Sequence, residues 1–180
     1  MPEDRRVRKT KSAIKNAFIQ LLEEKELEKI TIQNITQLAD VNRGTFYLHY
    51  EDKYILLSDM EDEFISRLAD RIVFEKVIMH DVSIEAFAKA FSEEVLKNII
   101  TYLYDNIEFY KVIFKLDRKS KIEEKISDLM LNNMKKSIPF SNTVSDIPID
   151  YFHSYVNGAT VSFIKHWVQD EDRMDPDTVV

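Results

Sequence analysis

Between residues 43 and 49 the chain sets out Arg43, Thr45, Tyr47 and His49, four side chains whose donors suit phosphate oxygens and base edges rather than bond-breaking chemistry. Arg43 can present a two-pronged contact to guanine O6 and N7. Thr45 offers a methyl group for thymine and a hydroxyl for a base or a phosphate. Gly44, one of only two glycines, lacks a Cβ, so the backbone around it can approach a duplex closely, although glycine inside a helix costs about 1 kcal/mol relative to alanine. Catalytic sets are missing by comparison. There is no cysteine, and His49, His80, His153 and His166 are scattered. No glycine-rich phosphate loop, H-E-x-x-H pair or G-x-S-x-G turn occurs. No catalytic residue, metal site or cofactor is expected, and the chain is not expected to be an enzyme.

The stretch Thr31–Lys53 positions these groups. Ile32, Ile35, Leu38 and Ala39 recur at helical spacing, and Thr31 is placed to cap that helix through its hydroxyl. Asp40-Val41-Asn42 reads as a turn, with Val41 as the apolar plug. Asn42 caps a second helix starting at Arg43, which Phe46 and Tyr50 anchor in the core. This is a helix-turn-helix layout, whose second helix enters a major groove by its N-terminal end while the first crosses the backbone, bringing Thr31 and Gln33 to phosphates. Lys53 begins the next helix as a point charge for phosphate, beside that helix's own N-terminal dipole. Arg5, Arg6, Arg8, Lys9 and Lys11 form a basic arm that adds salt-dependent affinity.

The run V-N-R-G-T-F-Y-L-H-Y-E-D-K, preceded by I-T-I-Q-N-I-T-Q-L-A, resembles the DNA-binding signature of the TetR/AcrR family of transcriptional regulators. The match falls at Arg43, Gly44, Thr45, Phe46, Tyr47, His49 and Lys53. The chain departs at Asn42, where serine is commoner, and at Tyr50, where phenylalanine is commoner. Asparagine caps as well as serine, so the first change is mild. The motif covers about the first third of the chain. The resemblance implies that Tyr47 and His49 hydrogen-bond phosphates. It also implies a homodimer built through the last two long helices, and a small-molecule pocket within the central helices whose occupancy changes the spacing of the heads.

On that basis an aromatic set becomes the candidate lining for an unidentified effector: Phe87, Phe91, Tyr102, Phe109 and Tyr110, then Phe114, Tyr151 and Tyr155, with Phe152 nearby. Gly158, Ala159 and Ser162 give the last helix a small-residue patch for dimer contact, with Phe163 and Trp167 as apolar interface residues. Each of these aromatic residues has a plainer reading as ordinary core.

Bulk properties agree. The 180 residues are 44% hydrophobic, with two glycines and four prolines, which suits a globular helical chain. The net charge of −7 is unevenly spread: residues 1–53 carry ten Lys/Arg against nine Asp/Glu, and residues 54–180 fifteen against twenty-three. Local charge is what meets phosphate. No apolar run nears the roughly 20 residues that span a bilayer, and the first residues are charged rather than signal-like, so no membrane association and a cytoplasmic location are expected.

The periodicity predicts helices at about 10–26, 83–103, 106–116, 119–136 and 148–170, plus a long connecting helix at 52–79, with His80-Asp81 a break and Asp81 or Ser83 a cap. A loop at 137–148 contains Pro139, and Asp175-Pro176 starts a last short turn. No strand is expected. The reading is therefore all-α: a helix-turn-helix DNA-binding head at 1–53 and a ligand-binding and dimerisation bundle at 54–180. Its expected function is a dimeric repressor on an inverted-repeat operator in double-stranded DNA, released by a small ligand. An alternative is an interaction module of the same fold that acts through a partner regulator.

Overall fold

A computed structural model describes residues 4–71, 77, 84–116, 120–137, 143, 144 and 146–179. Helix α1 spans Arg5–Glu24 and begins at the Asp4 cap, whose carboxylate accepts from Arg6 N. It starts five residues earlier than expected, so the basic residues from Arg5 to Lys11 lie on helical turns rather than on an arm. Its buried face is Ile14, Ala17, Phe18, Leu21 and Leu22. A 3₁₀ turn at Leu27–Lys29 leads to α2, Ile32–Leu38, and α3, Arg43–Tyr47. Helix α4 follows at Lys53–Ala69 and ends at the Asp70 cap, ten residues before the expected 79, with Asp70, Arg71 and Val77 in turns; the break at His80-Asp81, and Asp81 and Ser83 as caps, lie outside the described residues.

Helix α5, Ile84–Phe91, runs through a π turn at Ser92–Leu96 into α6, Lys97–Tyr104. Helices α7, Ile107–Lys115, α8, Ile122–Ser137, and α9, Ile149–Gln169, complete the body. One departure from the all-helical expectation is a small antiparallel hairpin, β1 Thr143–Val144 with β2 Ile147–Pro148, paired Thr143 to Pro148 and Val144 to Ile147. Asp146 turns it with φ 64°, and a residue preceding proline, here Ile147, is pushed toward extended backbone. Neither two-residue strand has the length to show alternation in sequence.

The apolar core is continuous from head to body. Phe18, Ile35 and Phe46 at one end and Ile113, Met130 and Ile164 at the other belong to one buried cluster. Helix α1 packs on α2 and α7, α4 packs on α8, and α8 packs on α9. Helix α1, on α7, and helix α4, on α8, are thus both elements through which head and body meet. No helix among the described residues is long and apolar enough to cross a membrane.

Candidate nucleic-acid interface

The turn between α2 and α3 is closed by backbone geometry. Ala39 ends α2, Asp40 adopts φ 52°, Val41 N donates to Thr36 O at 3.0 Å, and Asp40 N to Gln37 O at 3.3 Å. That is the Schellman pairing, with aspartate in the left-handed position usually held by glycine. Both helices are capped as expected. Thr31 Oγ1 accepts from Asn34 N, and Asn34 Oδ1 accepts from Thr31 N at 3.0 Å, a reciprocal box. Asn42 Oδ1 accepts from Thr45 N at 2.7 Å and from Thr45 Oγ1 at 3.0 Å.

These caps change how two residues read. The Thr45 hydroxyl donates to Asn42, which leaves its oxygen lone pairs and methyl group as what it offers outward. At Gly44 a Cβ would come within 3.2 Å of Asn42 Oδ1, so glycine protects the cap as well as keeping the backbone open. Phe46 is fully buried and Tyr50 nearly so, which turns the other face outward: Arg43, Gly44 and Tyr47 are exposed, Thr45 and His49 half-buried. Arg43 Nη2 donates to the Tyr47 hydroxyl at 3.4 Å, one turn along the helix. Thr31 and Gln33 are exposed at the start of α2. The result is a short, donor-rich ridge at the N-terminal end of α3.

Lys53 departs from the simple expectation of a free point charge. Its Nζ donates to three backbone carbonyls, Leu27 at 2.7 Å, Ile30 at 2.8 Å and Glu28 at 3.0 Å. An ammonium group has three donors, so all of them serve the end of the 3₁₀ turn. The adjacent helix N-terminus is also occupied: Asp52 Oδ1 accepts from Tyr54 N and Ile55 N.

A second concave region lies where α1, α4, α6 and α7 meet, a cleft of about 700 Å³. Of the aromatic set, Tyr102, Phe109 and Tyr110 line it, together with Phe64. Phe64 stacks on Tyr102 with centroids 5.5 Å apart, and Phe109 meets Tyr110 edge-on at 5.0 Å. Burial, reinforced by Tyr102, pushes the Tyr110 phenol well above its ordinary range. Phe87 and Phe91 belong to another group, packed with Phe152 of α9. Residues 91 and 102 would share a face of an unbroken α-helix, but the π turn between them rotates the register by roughly a quarter turn. Phe114 is buried elsewhere.

Three further expectations need correction. Tyr151 and Tyr155 are 74% and 79% exposed, on the outer side of α9, and do not line this cleft. They share that face with the exposed Gly158, Ala159 and Ser162, and a Cβ on Gly158 would meet nothing within 4 Å. Trp167 is buried within its own subunit, because residues after α9 fold back: its Nε1 donates to Met174 O at 2.9 Å, and Arg173 Nε donates to the Trp167 carbonyl. Phe163 is half-buried.

Two polar assemblies were not foreseen. Lys15 of α1 bridges Asp59 at 2.8 Å and Glu63 at 2.6 Å on α4. Burial alone would lower its pKa, but the hydrogen bonds and charges of both carboxylates outweigh this and raise it above 10.5. Glu63 is pushed up by burial and pulled down further by Lys15, so its pKa falls below 4.5. The Tyr50 hydroxyl also donates to Asp59, at 3.2 Å, and Arg67 donates to Glu63. On the other side of α4, Glu61 is only 2% exposed. Its carboxylate accepts from Ser120 Oγ at 2.7 Å, Lys121 N at 3.1 Å and Lys125 Nζ at 3.1 Å, tying α4 to the start of α8. The signal for Glu61 was present: Leu57, Glu61, Phe64 and Leu68 form one stripe, and a carboxylate within an apolar stripe demands a partner. Among the described residues no His, Asp and Glu cluster could hold a metal ion.

Comparison with known proteins supplies the remaining findings. The family model TetR_C_8, a transcriptional regulator C-terminal region, matches residues 91–180, half of the chain. An uncharacterized HTH-type transcriptional regulator, YxbF of Bacillus subtilis, is 20% identical over 99% of the chain; the chain spans 43% of the length of that relative. Among solved structures, a TetR transcriptional regulator from Streptococcus agalactiae is 27% identical, with a TM-score of 0.66 over 97% of this chain and 91% of that one. NalD of Pseudomonas aeruginosa, described as the secondary repressor of the MexAB-OprM multidrug efflux pump, shares the fold at 15% identity, with a TM-score of 0.69 over 96% and 91% of the two chains.

Proposed function

This chain belongs to the TetR family of transcriptional regulators, and we propose that it acts as a symmetric dimer on an inverted-repeat DNA operator, repressing transcription until a small effector releases it. The carrying observation is the outward ridge on α3, in which Arg43, Thr45 and Tyr47 are held by the Asn42 cap and by the buried Phe46. Arg43 reads a base edge; Tyr47, His49, Thr31 and Gln33 take phosphates; Gly44 and Asn42 keep the helix end open and capped. Lys53 acts indirectly, by fastening the 3₁₀ turn beneath this surface. The exposed face of α9 bearing Tyr151, Tyr155, Gly158, Ala159 and Ser162 supports self-association. The head at 1–53 and the body at 54–180 act as two functional parts joined by α4, despite their shared core.

The first test is selection from random-sequence duplex DNA at two salt concentrations. An enriched inverted repeat is expected. Arg43→Ala should then lose about 1–3 kcal/mol of binding at matched salt while the dimer persists. Weak, sequence-blind, strongly salt-dependent binding by the unmodified chain would sink the operator reading.

A further inference from the structure

We propose that the cleft between α1, α4, α6 and α7 is a binding site for a flat, amphipathic organic anion. This deepens the effector reading and rests on it, placing the ligand against the head itself, since α1 forms one wall. The cleft's 700 Å³ falls within the range of small-molecule pockets. Its apolar side is aromatic, the half-buried Phe109 backed by the buried Phe64, Tyr102 and Tyr110, which suits a planar body.

The sign of the ligand's charge follows from which groups are already engaged. Each lining carboxylate has a cationic partner: Asp59 and Glu63 are held by Lys15, and Asp62 by Lys125 from the α8 side at 2.8 Å. With Asp62 so engaged, the lining leaves the cations Arg8, Lys15 and Arg67 against Asp59 and Glu63. Arg8 is exposed, and Arg67 directs one amino group at Glu63 out of a fork of five donors. Arg71 adds a further positive charge 4.6 Å from the Tyr102 ring centroid. A lipophilic cation would have to displace existing ion pairs, whereas a carboxylate or sulfonate finds donors to spare.

Occupancy also has a route to the head. An anion on Arg67 competes with Glu63; Glu63 shares Lys15 with Asp59; Asp59 accepts from Tyr50, the residue that closes the α3 region. A ligand that binds better to a rearranged set of these pairs shifts the head's equilibrium by its difference in affinity.

The test is calorimetry of the full chain, without DNA, against 2-naphthoate and against 2-naphthylmethylammonium, which has a similar shape and the opposite charge. Naphthoate is expected to bind, and the cation at least about tenfold more weakly, the scale of one charge-assisted hydrogen bond. Combining Arg8→Met with Arg67→Met should weaken naphthoate by a similar factor, with the helical circular dichroism retained. Glu171→Ala, at an exposed position beyond α9, should leave it unchanged. The proposal is overturned by equal or tighter binding of the cation, by no heat of naphthoate binding at saturating concentration, or by loss in Phe87→Ala with none in the arginine variant. Because DNA is absent, failure to find an operator and failure to bind the anion are separate results.

Discussion

Helix α4 carries charged groups on two sides, and the two sides are built differently. Toward α1, one lysine is shared by two carboxylates that remain 44% and 41% exposed, at the rim of the cleft. Toward α8, Lys125 is likewise shared by two carboxylates, but one of them, Glu61, is almost wholly buried, and it satisfies a hydroxyl, a backbone N–H and an ammonium group at once. Exposed pairs exchange partners at small cost, because water solvates whichever ion is released. A buried charge has no such substitute, so removing either partner strands the other. The contrast suggests a helix held fast to the body and held adjustably to the head, which is the asymmetry a lever between the two parts requires.

The largest expected effect breaks the fixed side. Glu61→Ala should cost about 3 kcal/mol in urea unfolding, since the Ser120 hydroxyl and the Lys121 N–H just before α8 lose their buried acceptor and Lys125 loses one of its two carboxylates. Glu61→Gln should cost less, because an amide oxygen still accepts from Ser120 and Lys121. If Glu61→Ala is no more harmful than a change on the α1 side, burial is not what separates the two assemblies. Lys15→Met should be milder, about 1 kcal/mol, measured the same way.

Acid titration sharpens the same contrast. Glu63 has a folded pKa below its unfolded 4.5, so its contribution is present above that value and is lost as pH falls through the folded pKa. Lys15 has a folded pKa above its unfolded 10.5, so its contribution is present below 10.5 and disappears as pH rises through the folded pKa. The α1–α4 link therefore holds across the interval between those two values. Stability of the unmodified chain should decline below pH 4.5, and the slope should be shallower in Lys15→Met; equal slopes would dissociate Lys15 from Glu63. The smallest effect lies away from α4. Asp40→Gly should raise the melting temperature slightly, by relieving about 1 kcal/mol of left-handed strain at φ 52°. It should leave the acid slope unchanged, a control for changes that merely alter overall stability.

The head was legible because its information is local. Thr31 and Asn42 cap helices that begin at the next residue, Phe46 and Tyr50 lie one turn apart on one face, and Val41 follows a turn that four consecutive residues define. Asp40's left-handed backbone is likewise a property of that turn, although aspartate signals it less loudly than glycine. The body was legible only as helices. Their approximate bounds followed from apolar spacing, but the hairpin at 143–148 was too short to alternate, and the π turn at 92–96 altered a register that ideal spacing assumes.

Amino-acid sequence by itself determined the approximate order of the helices, the helix-turn-helix and which side chains the start of α3 carries, because capping, turn geometry and helical period act over four or five residues. Tertiary structure alone decided which tyrosines face water, that Trp167 is covered by the segment after α9, that Lys53 fastens the 3₁₀ turn, and that Glu61 reaches α8. Those outcomes depend on residues brought together from 7 to 60 positions apart, and burial of a charge or ring is set by what packs over it rather than by its neighbours along the chain.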